Sequence, residues 1–157
     1  MQQFYDQFGC MVRLALDETP FSQNPKHVWV ICRYKEQWLV TKHKKRGLEF
    51  PGGKVECNET PIAAAYREVM EETGGVIGDI RLIGQYEVTT ENELIYKNIY
   101  FATISSLIKK DTYLETEGPI TLEALPAHIK EDKRFSFIMK DEVLVYCLEY
   151  MKEEQLV

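Results

Sequence analysis

The sequence predicts an α/β domain, a mixed β-sheet sandwiched between helices. Three observations predict it. Short runs rich in β-branched and aromatic residues lie in both the first and the later part of the chain. A well-capped, alanine-rich helix separates them, and an apolar stripe at helical spacing follows near the end. The 157 residues suit a single domain spanning 1–157 with one core. No internal repeat, low-complexity tract or Pro/Gly/Ser linker divides them.

Cys10 to Leu16 is a short apolar segment. His27 to Tyr34 (HVWVICRY) and Trp38 to Thr41 have strand composition, and Lys35-Glu36-Gln37 between them forms a hairpin turn. The basic run Lys42-His43-Lys44-Lys45-Arg46 follows. From Leu48 to Lys54, a proline and two glycines argue against regular structure. Thr60 to Thr73 is the clearest helix: Thr60 can cap it, Pro61 fits its first position, three alanines favour it, and Gly74-Gly75 ends it. Strands are expected at Ile80 to Val88 and Leu94 to Ile104. A loop carrying Glu115, Glu117, Gly118 and Pro119 precedes the short apolar piece Ile120 to Leu122. The last helix is expected at Lys140 to Lys152, with Leu144, Cys147, Leu148 and Met151 facing the core.

Composition excludes several function classes. Hydrophobic residues make up 45% and charged residues 28%, an ordinary globular balance. No apolar run reaches 18 residues, so no membrane helix is expected, and the first residues lack a signal peptide's pattern. Cys10, Cys32, Cys57 and Cys147 are dispersed, which argues against a zinc site or disulfide framework and for free thiols in a reducing cytoplasm. The net charge of −6 argues against a duplex-DNA binder. It leaves room for a polyphosphate substrate if metal ions stand between the two anions. His27 and His128 have no motif around them and read as structural or solvated.

Glu68, Glu71 and Glu72 stand at i, i+3 and i+4 and share one helix face. The bland reading is a solvated acidic face paired with lysines. The alternative is a set of hard oxygen ligands for Mg²⁺. From Gly52 to Gly75 there are two cations (Lys54, Arg67) against five acids (Glu56, Glu59, Glu68, Glu71, Glu72), a local net charge of −3. A triphosphate would be repelled there without divalent ions.

The spacing Gly53, Glu59, Arg67-Glu68-Val69, Glu71-Glu72, Gly74 resembles the Nudix box, the loop–helix–loop signature of nucleoside-diphosphate-linked hydrolases. All seven fixed residues are present. Gly75 departs from the usual apolar residue after the last glycine. The resemblance implies the Nudix fold and a Mg²⁺-dependent hydrolase, with Mn²⁺ as a substitute. It implies a metal shell of the Gly52 carbonyl, Glu68, Glu71, Glu72 and a loop glutamate, Glu117, with Glu115 as the alternative. Glu68, Glu71 and Glu72 are the catalytic candidates, and Glu68 is the first choice for general base. Gly53, Glu59, Arg67 and Gly74 shape the box.

The run Leu48 to Lys54, with Pro25 to Arg33, Lys97 to Phe101 and Arg134 to Asp141, resembles MutT-like members of the family. That implies a nucleoside triphosphate substrate, (d)NTP or 8-oxo-dGTP, cleaved to monophosphate and pyrophosphate in nucleotide-pool sanitation. Lys42, His43, Phe50 and Lys54 become substrate-binding candidates. Phe50 can stack on a purine or fill the core. Lys44, Lys45 and Arg46 can form a phosphate-attracting rim or a solvated hairpin end. Two alternatives stand beside this reading: hydrolysis at an RNA 5′ end, and a non-catalytic nucleotide-sensing domain, which the retained carboxylates disfavour. Base preference, the number of metals and the oligomeric state stay open.

Overall fold

The computed structural model describes residues 1–157. Nine strands form one mixed sheet: β1 (Gln2–Tyr5), β2 (Met11–Leu16), β3 (His27–Tyr34), β4 (Gln37–His43), β5 (Gly47–Glu49), β6 (Gly52–Lys54), β7 (Gly75–Thr89), β8 (Leu94–Leu107) and β9 (Thr116–Leu122). Helix α1 (Pro61–Thr73) lies between β6 and β7, and α2 (Glu142–Glu153) follows the sheet. The order is β1-β2-β7-β8-β3-β4-β5, with β6 beside β3 and β9 beside β4. The β3–β8 pair is parallel, with Trp29 opposite Ile99, and the other pairs are antiparallel.

Period-2 alternation separates two cores. On β3, Trp29 and Ile31 join Ile99 and Phe101 of β8 under Val143, Leu144, Cys147 and Met151 of α2. The intervening Val28, Val30 and Cys32 join Tyr100, Ala102 and Ile104 on the other face, under Ala64, Ala65 and Val69 of α1. One helix therefore covers each face, as the sequence predicts. The small residues of α1 let it lie close to the sheet, which brings its carboxylate face beside β6.

The helix limits agree with expectation because their caps are local. The Thr60 hydroxyl accepts from Ala63 N–H at 3.2 Å, and Gly74 takes φ 73°, its N–H bonding to Met70 O. The 48–54 segment does contain regular structure: Pro51, which has no N–H, only separates the three-residue strands β5 and β6. Strand β9 spans the segment expected to be a loop. It pairs only with β4, so Pro119 is tolerated at that edge, and a register shift accommodates Gly118 at φ 94°. Strand β7 begins five residues before its expected start, because register shifts between Val76 and Gly84 interrupt the alternation. The β3–β4 turn is a two-residue turn, Lys35 and Glu36 both with positive φ.

Asp141 caps α2 by accepting from Val143 N–H at 2.9 Å, yet burial pushes its carboxyl up to about 6 from 3.8. The folded state therefore holds that proton more tightly than the unfolded chain, and stability falls as pH rises from about 4 through about 6. Asp141→Asn keeps a capping oxygen without the buried charge. We expect it to be more stable than the parent by about 1–2 kcal/mol at pH 7.5, the difference vanishing below pH 4. Urea denaturation of both proteins across that range checks it.

Candidate active site

A cavity of about 630 Å³ opens between the start of β3, the β5–β6 segment and α1. Its size suits one small-molecule ligand. One wall is acidic, Glu68 and Glu72 of α1. The same cavity is lined by the cations Lys54, Lys97 and Arg46, by His27 and His43, and by three further carboxylates, Glu49, Glu56 and Glu115; Glu49 pairs with Arg46 at 2.7 Å.

The acidic wall follows from the box geometry. Pro51 O accepts from Val30 N–H, so the alternation of antiparallel pairing turns the Gly52 N–H and carbonyl away from β3 and toward α1. There Gly52 N–H makes a long contact of 3.5 Å to Glu72 Oε1. Gly53 leaves room for Glu68, whose carboxyl carbon would lie 2.6 Å from any Cβ at that position. The helix end is held by side chains absent from the sequence reading. The Thr41 and Thr116 hydroxyls reach the Glu72 carbonyl at 2.8 and 3.1 Å, and Lys110 Nζ caps the Met70 carbonyl at 3.1 Å.

Arg67 joins loop to helix. Its guanidinium grips Glu59 in a fork at 2.7 and 2.8 Å, donates to Lys54 O at 2.9 Å, and touches Glu68 and Glu71 at 2.9 and 3.3 Å. That pairing holds the Glu59 carboxyl down at about 2. Glu72 is only 9% exposed. Burial raises its pKa far above the ordinary carboxylate range, and the negative charge of adjacent Glu68 raises it further.

The predicted residues divide into groups. Gly52, Gly53, Lys54, Glu68, Glu72, His43 and Phe50 meet at the cavity. Glu71 turns instead to Arg67 at its margin. Glu117 is half-exposed, pairs with Lys42 at 3.3 Å, and neither lines the cavity; Glu115 does. Phe50 borders the cavity but is 1% exposed, packed edge-on against Trp29 and Trp38 as part of the core. His43 accepts from Lys45 N–H and Arg46 N–H at Nδ1, which orients its ring.

Two lining residues, His27 and Lys97, had no sequence signal. They stand in one cross-strand row with Lys54, because His27 is opposite Lys97 on β8 and Lys54 on β6. Burial and those two cations lower the His27 pKa, and burial lowers that of Lys97. The buried Trp29 Nε1 and His27 Nδ1 have no protein partner, and both residues line this space. Recognising the row requires strand register, which the linear sequence does not print.

No three His, Cys, Asp or Glu side chains converge into a preformed ligand set. The donors nevertheless fit a hard divalent cation. Glu72 is buried and Glu68 partly buried, two mutually repelling carboxylates beside the Gly52–Gly53 backbone, and Mg²⁺ commonly binds one or two carboxylates and takes its other ligands from water and substrate phosphates.

Residues 21–138 match the NUDIX domain model. The chain belongs to the Nudix family. It is 50% identical to Bacillus subtilis YtkD, named as a candidate 8-oxo-dGTP diphosphatase, over 98% of this chain and 97% of that protein. The crystal structure of the Bacillus subtilis pyrophosphohydrolase BsRppH superposes with a TM-score of 0.96 at 49% identity, covering 98% of both chains. Over 32 residues, 20% of this chain and 25% of the relative, it is 56% identical to the 8-oxo-dGTP diphosphatase of Escherichia coli. The Nudix fold expected from the box is thus the fold found, and the chain is a Nudix pyrophosphohydrolase acting on phosphoanhydride bonds. Nudix hydrolases generally use a divalent metal such as Mg²⁺.

The Arg67 fork gives a direct expectation. Arg67→Lys keeps the charge but cannot hold Glu59, Glu68 and the Lys54 carbonyl together. It should lower stability by about 1–3 kcal/mol, read as a lower denaturation midpoint at pH 7. An unchanged midpoint would remove Arg67 from this role.

Proposed function

We propose that this protein is a Mg²⁺-dependent nucleoside triphosphate pyrophosphohydrolase. It converts a (d)NTP, 8-oxo-dGTP among them, to monophosphate and pyrophosphate, and serves nucleotide-pool sanitation in the cytoplasm as a single domain. The observation that carries this reading is one cavity lined both by the Glu68–Glu72 pair and by Lys54, Lys97 and Arg46. The names of the Bacillus subtilis and Escherichia coli relatives support the substrate class.

Glu68, Glu72 and the Gly52 carbonyl would hold the cation, and Glu71 would join after leaving Arg67. Bound there, it would polarise phosphoryl oxygens and acidify water. The protein's residues supply the rest. Lys54, Lys97, Arg46 and His27 bind and orient the phosphates. Arg67 donates to Glu68 and orients its carboxylate, which would take the proton of the attacking water. Trp29, Phe137 and Ile138 exclude bulk water. Glu115, which lines the cavity, would contact the metal-bound phosphates, while Glu117 pairs with Lys42.

Product analysis with dGTP and 8-oxo-dGTP, Mg²⁺ and a chelator tests the reaction. Monophosphate plus pyrophosphate, abolished by chelation, is expected; diphosphate plus phosphate would move the attacked phosphorus. Turnover of neither nucleotide would favour RNA 5′ ends, and binding without any turnover would favour a sensing domain. Glu68→Gln should lose roughly 10²–10⁴-fold in kcat with its fold intact. Glu71→Gln should lose most activity too, and normal turnover in that variant would remove Glu71 from the metal shell. Glu115→Gln should cost more activity than Glu117→Gln.

A further inference from the structure

Outside the catalytic cavity, a second groove of about 590 Å³ runs beside the β4–β5 hairpin. Six of its eleven lining residues are cations: Lys42, Lys44, Lys45, Arg46, Lys133 and Arg134. No carboxylate lines it, in a chain where 25 acids outnumber 19 Lys and Arg. Three of the cations have acidic partners: Lys42 with Glu117, Arg46 with Glu49, and Arg134 with Asp132. Lys44, Lys45 and Lys133 are exposed and have no carboxylate within salt-bridge distance. The groove borders the catalytic cavity: His43 and Arg46 line both.

Like charges drawn together on an acidic protein repel one another, and the arrangement is relieved when an anion spans them. A free nucleotide in the catalytic cavity leaves these lysines in solvent. A polynucleotide whose 5′ phosphates occupy that cavity has further backbone phosphates to place. We propose that this groove is a track for the phosphodiester backbone of a single-stranded RNA held by its 5′ end. The floor between the cations is aliphatic, Leu48, Ile120 and Leu122, with no aromatic ring to stack a base. The track therefore reads charge along the backbone and is indifferent to sequence. The other opening of the cavity, past Phe137 and Ile138 toward Phe8 and Tyr86, offers one cation, Lys97, beside Asp6 and Asp141, and does not suit a backbone.

The proposal rests on the hydrolase reading for the 5′ end only; the groove is testable without it. The triple variant Lys44→Gln, Lys45→Gln, Lys133→Gln removes three solvent charges and touches no cavity residue. On a ten-nucleotide 5′-triphosphate RNA, kcat/KM should fall roughly 10- to 100-fold at 50 mM salt, while kcat/KM on dGTP stays unchanged. The log–log salt dependence of the RNA reaction should become shallower by about 2, from three lost phosphate contacts. Fluorescence anisotropy with a 5′-hydroxyl oligonucleotide reads the groove alone: the parent should bind with steep salt dependence and the variant should not, even if neither protein turned over any substrate. Equal losses on RNA and dGTP, an unchanged RNA reaction, no oligonucleotide binding by the parent, or equal binding of polyglutamate would each overturn the proposal.

Discussion

Two carboxylates buried side by side repel each other and are poorly solvated, so an acidic wall such as Glu68–Glu72 needs a counterweight. In this protein the counterweight on one side is Arg67. Its guanidinium binds Glu68 and Glu71 of α1, Glu59 of the preceding loop and the Lys54 carbonyl after β6. A planar fork with five donors can do this; an ammonium cannot. The same contacts fix the loop's path, and with it the approach of Gly52 and Gly53 to the carboxylates. Fold and site meet at this residue.

The charge left uncompensated is what gives the site its chemistry. Arg67 neutralises the helix from the loop side, leaving the cavity side of the carboxylate pair open. The same cavity is lined by a row of bases set by strand register, His27, Lys97 and Lys54. Acidic and basic side chains lining one cavity suit a cation and a polyphosphate bound together, where either set alone would repel one of them. The helix end that carries Glu72 is anchored by hydroxyls and an ammonium on its last carbonyls, which complements the helix dipole there.

The total charge of −6 conceals this separation. Five acids against two cations lie between Gly52 and Gly75, while the β4–β5 hairpin and the segment around Lys133 carry a carboxylate-free basic groove. Fields act over roughly 8–10 Å at physiological salt, so what a ligand meets is the local arrangement and not the sum.

Local patterns determined much of this protein. Thr60, Pro61 and Gly74 mark the limits of α1 because capping uses only neighbouring residues. The i, i+3, i+4 spacing set Glu68, Glu71 and Glu72 on one face because a helix repeats every 3.6 residues. The box residues are close in sequence and share one loop–helix unit, so their association was legible there. What tertiary structure alone decided was everything that depends on register between distant strands. It set His27 beside Lys97 and Lys54 and closed Phe50 between two tryptophans. It put Glu115 rather than Glu117 at the cavity, and made a strand of the β9 segment despite Pro119. Those contacts join residues tens of positions apart, and no local periodicity encodes which of them will meet.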